Sequence, residues 1–224
     1  MVAATLQTLD RGLAVLGLLS ETPEGLRPGE LADRLSVHKA IAYRLIATLE
    51  AHGLARRLPD GRAVLGAGLI PLAAHVEKHR LSAAAPHLAT LSAATRTTSC
   101  LVLADGPNAV VALVQEGGDG FLRVSYRLGF KHPLIHGASG HAILSARPAA
   151  DGDLPAVKRA REQGYAMTRG ELQPGAVGIA APIMPPDPAA QPAEAAVSIV
   201  ALHEFPADAP AHVMACAKAI SEIW

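Results

Sequence analysis

Residues 28–65, PGELADRLSVHKAIAYRLIATLEAHGLARRLPDGRAVL, decide how this 224-residue chain is read. Pro28 stands where a first-turn proline is tolerated, so the stretch opens as a helix running through Leu35. After a tight turn a second helix begins, in which Ala42, Leu45, Ile46 and Leu49 recur at i, i+3, i+4 and i+7 and predict one buried face. Lys39, Ala40, Tyr43, Arg44 and Ala47 fall outside that face and stay free to read something. Gly53 supplies the left-handed residue that ends the helix. From Leu54 to Leu65 the pattern is strand, Pro59-Asp60-Gly61 turn, strand. The stretch is a winged helix-turn-helix.

The charge around it points the same way. Formal net charge is zero, with ten Lys/Arg against eight Asp/Glu in residues 1–80 and ten against twelve in residues 81–224. Between Arg34 and Arg62, however, six basic side chains (Arg34, Lys39, Arg44, Arg56, Arg57, Arg62) face only Glu50 and Asp60, a balance suited to phosphate. Half the residues are hydrophobic and only 3% aromatic. The first figure supports a buried core; the second leaves few stacking platforms for single-stranded nucleic acid, which favours duplex DNA. Two cysteines, Cys100 and Cys216, with no secretory leader pattern and no apolar run of membrane-spanning length, predict a reducing cytoplasm and no membrane partner.

Outward from the central stretch, Leu6, Leu9, Leu13, Leu16 and Leu19 form one stripe of a helix that starts near Thr8 and stops before the Thr22-Pro23-Glu24-Gly25 turn. The stripe is wide enough to cover the helix-turn-helix and touch a second copy. After the wing, Gly66-Ala67-Gly68 breaks the pattern, and Leu69 to His79 predicts a linking helix. The domains expected are 1–66, a linker at 67–80, and 81–224. In the last of these, Leu81 to Ala94 is helical in period. Cys100–Ala104 and Ala109–Val114 read as a hairpin across Asp105-Gly106-Pro107-Asn108, and a short strand is expected at Phe121–Tyr126. Pro133 to Leu144 reads as a loop feeding a helix, and Leu154–Gln163 as another helix. Val177–Met184 and Ala195–Leu202 read as apolar strands joined by an exposed Pro/Ala-rich connector at 185–192, and Pro210–Ile223 closes as a helix. The fold class is α+β, an antiparallel sheet with helices behind a winged domain.

Together these residues resemble the IclR family of bacterial transcription regulators. The resemblance is carried by Gln7-Thr8-Leu9-Asp10-Arg11-Gly12-Leu13-Ala14-Val15-Leu16, by Lys39, Ala42, Arg44, Leu45, Ala47, Thr48 and Leu49, and by Asp60-Gly61-Arg62 with Leu65-Gly66. Further on it is carried by Pro133-Leu134, Gly140, Ala142, Leu144, Gly164-Tyr165-Ala166, and Glu171-Leu172-Gln173-Pro174-Gly175 leading to Ala180-Ala181-Pro182. It implies a dimeric or tetrameric repressor or activator whose C-terminal domain is GAF-like and binds a small-molecule effector. The chain departs from the family's pattern at His38, where proline is usual, and at Ala40-Ile41, where hydroxyls are usual. Gly178 stands in place of a cysteine, Val200 in place of one of two serines, and the segment before Gly164-Tyr165 is short.

For a helix in the major groove, the candidate DNA-facing residues are Arg34, His38, Lys39, Ala40, Ile41, Tyr43 and Arg44, with Arg56, Arg57 and Arg62 on the wing. Arg44 is first choice for a guanine or phosphate contact, while Ala40 and Ile41 suit thymine methyls. Against this stands the reading in which Tyr43 and Ile41 only pack. For the effector, Gly137-Ala138-Ser139-Gly140 ahead of a helix offers N–H groups at a positive helix end, which suits a carboxylate and so a small organic acid. Leu128, Ile179 and Val200 are the expected apolar walls, with Cys100, Arg127, Ser139, Ser198 and Gly178 beside them.

The alternative function is a small-molecule-binding or hydrolytic protein whose winged domain makes protein contacts. Gly137-Ala138-Ser139-Gly140-His141 approaches a nucleophile elbow, but its last position is histidine and no acid partner or oxyanion signature accompanies it, so no enzyme is expected. His75 and His79 lack a third ligand; no metal or cofactor is expected.

Overall fold

Two apolar cores divide the chain, in the computed structural model, into the units Met1–Val76 and Glu77–Trp224. The structure describes residues 5–74, 78–117, 126–185, 187 and 193–224.

The first unit runs α1 (Gln7–Ser20), α2 (Pro28–Arg34), α3 (Lys39–Ala51), β1 (Ala55–Arg57), β2 (Ala63–Leu65) and α4 (Leu69–Ala74). Ala42, Leu45, Ile46 and Leu49 are the buried residues of α3, as their period requires. They close on Val15 and Leu19 of α1, Leu31 and Ala32 of α2, and Ala55 and Ala63 of the wing. The α2–α3 turn bends through Ser36 in the left-handed region (φ 51°), with Val37 N–H donating to the Ala32 carbonyl at 2.9 Å. Gly53 also has positive φ (70°), as expected, and a Cβ on Gly66 would lie 2.1 Å from the Gly53 carbonyl oxygen. The wing therefore springs from two glycine backbones in contact. Of the α1 stripe only Leu19 is fully buried; Leu6, Leu9 and Leu13 are 76%, 60% and 58% exposed.

The second unit holds α5 (Lys78–Thr95), β3 (Thr98–Asp105), β4 (Asn108–Gln115), β5 (Lys131–Pro133), α6 (Gly137–Ser145), α7 (Pro155–Gln163), β6 (Ala166–Arg169), β7 (Val177–Ile183), β8 (Ala195–Ala201) and α8 (Ala209–Ser221). The strands make one antiparallel sheet in the order β5-β4-β3-β8-β7-β6. Alternation along each strand divides the side chains between two helical layers. Leu101, Ile179, Ile183, Val197 and Ile199 pack with Leu88, Val213 and Ile220 of α5 and α8. Cys100, Val102, Ala180 and Ala196 pack with Ala138, Ala142, Ile143 and Ala160 of α6 and α7. Each fully buried Leu or Ile is worth about 1.5–3 kcal/mol relative to exposure, so this double-sided core dominates the unit's stability.

Several expectations are refined. The helix expected over 69–79 is seen at its two ends as α4 and the start of α5; residues 75–77, His75 among them, lie outside the described residues. The strand expected at 121–126 also falls outside them except for Tyr126, which is irregular, and of the 185–192 connector only Pro185 and Asp187 are described. β5 and β6 were not anticipated. Both are short edge strands, and β5 ends on Pro133, which an edge tolerates because it need not donate to the ladder.

Candidate DNA-reading surface and ligand pocket

On α3, the residues between the buried positions are presented outward: His38, Lys39, Ala40, Tyr43 and Arg44 are all exposed. Ile41 differs. It is half-buried and packs against the unit's core. Tyr43 is 50% exposed with the Arg57 guanidinium 5.8 Å from its ring centroid. Arg57 also pairs with Glu50 at 3.1 Å, tying the wing to the back of α3. At the wing tip, Asp60 accepts from the Arg62 backbone N–H at 3.1 Å and from Arg62 Nε at 2.7 Å. The backbone hydrogen bond first, then the side-chain one, pulls the Asp60 carboxyl below its ordinary range. The six cations are thus unequal: Arg57 and Arg62 are each matched by a carboxylate, while no ion pair among the described residues holds Arg34, Lys39, Arg44 or Arg56.

In the second unit a cavity of about 20 Å³ lies on the α6 side of the sheet, lined by Tyr126, Ala138, Ser139, Thr168, Glu171, Leu172, Gln173, Ala176, Gly178, Ser198, Ile199 and Val200. That is room for about one water. Of the residues expected at an effector site, Ala138, Ser139, Gly178, Ser198 and Val200 line this cavity. Gly137 begins α6 at φ 77°, its N–H engaged by Glu171. Gly140 does not face the cavity: a Cβ there would lie 2.3 Å from the Leu134 carbonyl oxygen, so this glycine lets α6 pack on the chain entering it. Ile179 points to the opposite face of the sheet, among the α5 and α8 side chains, because adjacent strand residues alternate. Arg127 and Leu128 are exposed, Leu128 by 71%, and neither lines the cavity. Cys100 is fully buried in the core behind it, and burial pushes its thiol up to about 12. Sequence reasoning missed Tyr126, Thr168, Glu171, Leu172, Gln173, Ala176 and Ile199; for the loop residues among them the Glu171-Leu172-Gln173-Pro174-Gly175 run was the available signal.

Beside the cavity, Ser139 Oγ lies 3.3 Å from His132 Nε2, and His132 Nδ1 lies 3.0 Å from the Pro133 carbonyl oxygen. A carbonyl can only accept, so Nδ1 carries the proton and Nε2 accepts from the serine. Burial lowers the His132 pKa, consistent with this neutral ring. Phe130 lies 5.9 Å from His132 and stacks at 5.1 Å on Tyr126, so aromatic faces border the cavity. Among the described residues no His, Cys, Asp or Glu group is arranged to hold a metal, and no helix is long and apolar enough to cross a membrane.

Comparison with known proteins bears on both sites. Residues 8–59 match the family model of the IclR helix-turn-helix domain. The glycerol operon regulatory protein of Streptomyces griseus is 26% identical in an alignment of 178 positions that covers 75% of this chain and 66% of that protein. The DNA-binding transcriptional repressor YiaJ of Escherichia coli K12 is 27% identical over 204 residues, 79% of this chain and 72% of that one. An IclR transcriptional regulator from Alicyclobacillus acidocaldarius superposes with TM-score 0.81 at 21% identity, covering 98% of this chain and 99% of its own. An IclR homologue from Microbacterium hydrocarbonoxydans, complexed with 4-hydroxybenzoate, gives 0.79 at 19% identity over 96% of this chain and 98% of its own.

Proposed function

We propose that this chain, whose residues 8–59 match the IclR helix-turn-helix model, is a homo-oligomeric, ligand-controlled repressor or activator of transcription. It acts on double-stranded operator DNA in the cytoplasm. The observation that carries this is α3, whose apolar stripe is fully committed to the core while Lys39, Tyr43 and Arg44 project outward, flanked by Arg34 and Arg56, which no ion pair among the described residues holds. A helix of this kind enters the major groove with its N-terminal side chains on base edges and its flanks on phosphate. Lys39, Tyr43 and Arg44 would read bases, Ala40 and His38 approach them closely, and Arg34, Arg56, Arg57 and Arg62 meet phosphate. The exposed Leu6, just ahead of α1, and Leu9 and Leu13 on it, beside a groove that also includes Leu45 and Leu49, suit a second copy.

The effector class is a small organic acid, supported by the α6 N-terminus and by the neighbour that binds 4-hydroxybenzoate. Its carboxylate would meet the first N–H groups of α6, with Ser139 and Ser198 as polar partners and Val200 and Ala138 as walls. Ligand binding shifts the population between arrangements of the winged units that do and do not span two half-sites. The Ser139–His132 pair does not favour hydrolysis: the second ring nitrogen is held by a carbonyl rather than a carboxylate, and the cavity is the size of one water. DNase I footprinting on the region upstream of the chain's own gene tests the proposal. Protection over two half-sites separated by about one helical turn or a multiple of it is expected; no protection at low salt sinks it.

A further inference from the structure

Glu171 occupies the place where a ligand carboxylate is expected. Its Oε2 accepts from the Gly137 N–H, the first of α6, at 2.8 Å, and lies 3.8 Å from His141 Nε2. It reaches there from residues 170–176, the loop between β6 and β7, which also lays Leu172 on the same helix end; a Cβ on Gly137 would sit 2.6 Å from Leu172 Cδ1. With the loop in this position the cavity beneath is about 20 Å³, too small for any carboxylic acid.

The floor of that cavity is nevertheless polar. Thr168 and Ser198 line it from β6 and β8, each about nine-tenths buried, and among the described residues no hydrogen bond engages either hydroxyl. Two such hydroxyls, beneath a loop that presses a carboxylate onto a helix end, are open to polar atoms that enter the cavity.

From this juxtaposition we propose that loop 170–176 is a gate and Glu171 its internal occupant. In the ligand-free protein the Glu171 carboxylate holds the positive end of α6. A ligand carboxylate exchanges with it at the Gly137 N–H, because two anions at one hydrogen-bond donor repel. Departure of Glu171 carries Leu172 off Gly137 and opens the cavity, so that ligand polar atoms reach Thr168 and Ser198. Binding and loop opening are then one event, and the gate sets the effective affinity by the fraction of time it stands open. This inference rests on the effector reading above and adds the chain's own competitor for the site.

The test uses the full-length, isotope-labelled protein and benzoate as the probe, following the Gly137 amide resonance in the wild type, Glu171→Ala and Glu171→Gln, with thermal melts to confirm folding. Benzoate is expected to move the Gly137 resonance in all three and to bind Glu171→Ala about tenfold more tightly than the wild type. Glu171→Gln falls between, since its amide oxygen still accepts but carries no charge. Equal affinities in the three proteins overturn the gate while leaving the pocket. If benzoate moves no resonance around the cavity in any of them while DNA binding is intact, the effector reading fails and the gate with it. Should Glu171→Ala not fold, the comparison of Glu171→Gln with the wild type decides.

Discussion

His132 shows how one buried side chain ties stability to pH. Its Nδ1 is committed to the Pro133 carbonyl and its Nε2 to Ser139, and burial holds its pKa below the ordinary histidine value. Below that ordinary value, about 6.5, the unfolded chain takes up a proton that the folded chain resists. Stability is therefore full above about pH 6.5 and declines as the pH falls through it. The melting temperature of the wild type should drop more than that of His132→Gln between about pH 7.5 and about pH 5; parallel declines would show that His132 carries none of the loss. Single residues also sort the wing. Arg57 and Arg62 already hold carboxylates, so a phosphate must compete with Glu50 and Asp60 for them, whereas no ion pair among the described residues holds Arg44 or Arg56.

Among the elements, the wing depends on the approach of two backbones. A Cβ on Gly66 would meet the Gly53 carbonyl oxygen at 2.1 Å and its carbon at 2.8 Å, and backbone cannot swing aside as a side chain can. Gly66→Ala should cost about 1–3 kcal/mol in the first unit, read by denaturant melts; an unchanged midpoint would mean that the wing base yields freely. This contact was not legible in the sequence, where Gly66-Ala67-Gly68 marked only a break. The buried face of α3 was legible because a 3.6-residue period writes it directly into Ala42, Leu45, Ile46 and Leu49. β5 and β6 were not, since three- and four-residue edge strands holding His132, Pro133 and Arg169 carry no alternation to read. For the pocket, the loop ahead of α6 pointed to Ala138 and Ser139, and the strands to Gly178, Ser198 and Val200. Ile179 was misplaced by one residue, the step that reverses a strand's face. Glu171, read only as part of the family pattern, was not assigned to the pocket because its contact spans thirty-four residues of sequence.

For the whole molecule, a zero net charge conceals the division of labour. The excess of basic over acidic groups is confined to the helix-turn-helix and wing, and the second unit instead gathers a helix end, two hydroxyls and the exposed Glu171 carboxylate around a small cavity. A regulator needs both parts: one that binds DNA through phosphate neutralisation and base contacts, and one with two states of similar free energy for a ligand to choose between. The first of these carries the central claim, and fluorescence anisotropy on duplex DNA from the upstream region, with a scrambled duplex beside it, tests it most directly. Binding by the wild type should be sequence-selective and weaken steeply with salt. Arg44→Ala should lose affinity and lower the salt slope by about one if it meets phosphate, or lose about 1–3 kcal/mol of discrimination at one base pair if it meets a base. Arg62→Ala, its charge already matched by Asp60, should change less. Equal binding to both duplexes by wild type and Arg44→Ala, or none at low salt, would contradict the account.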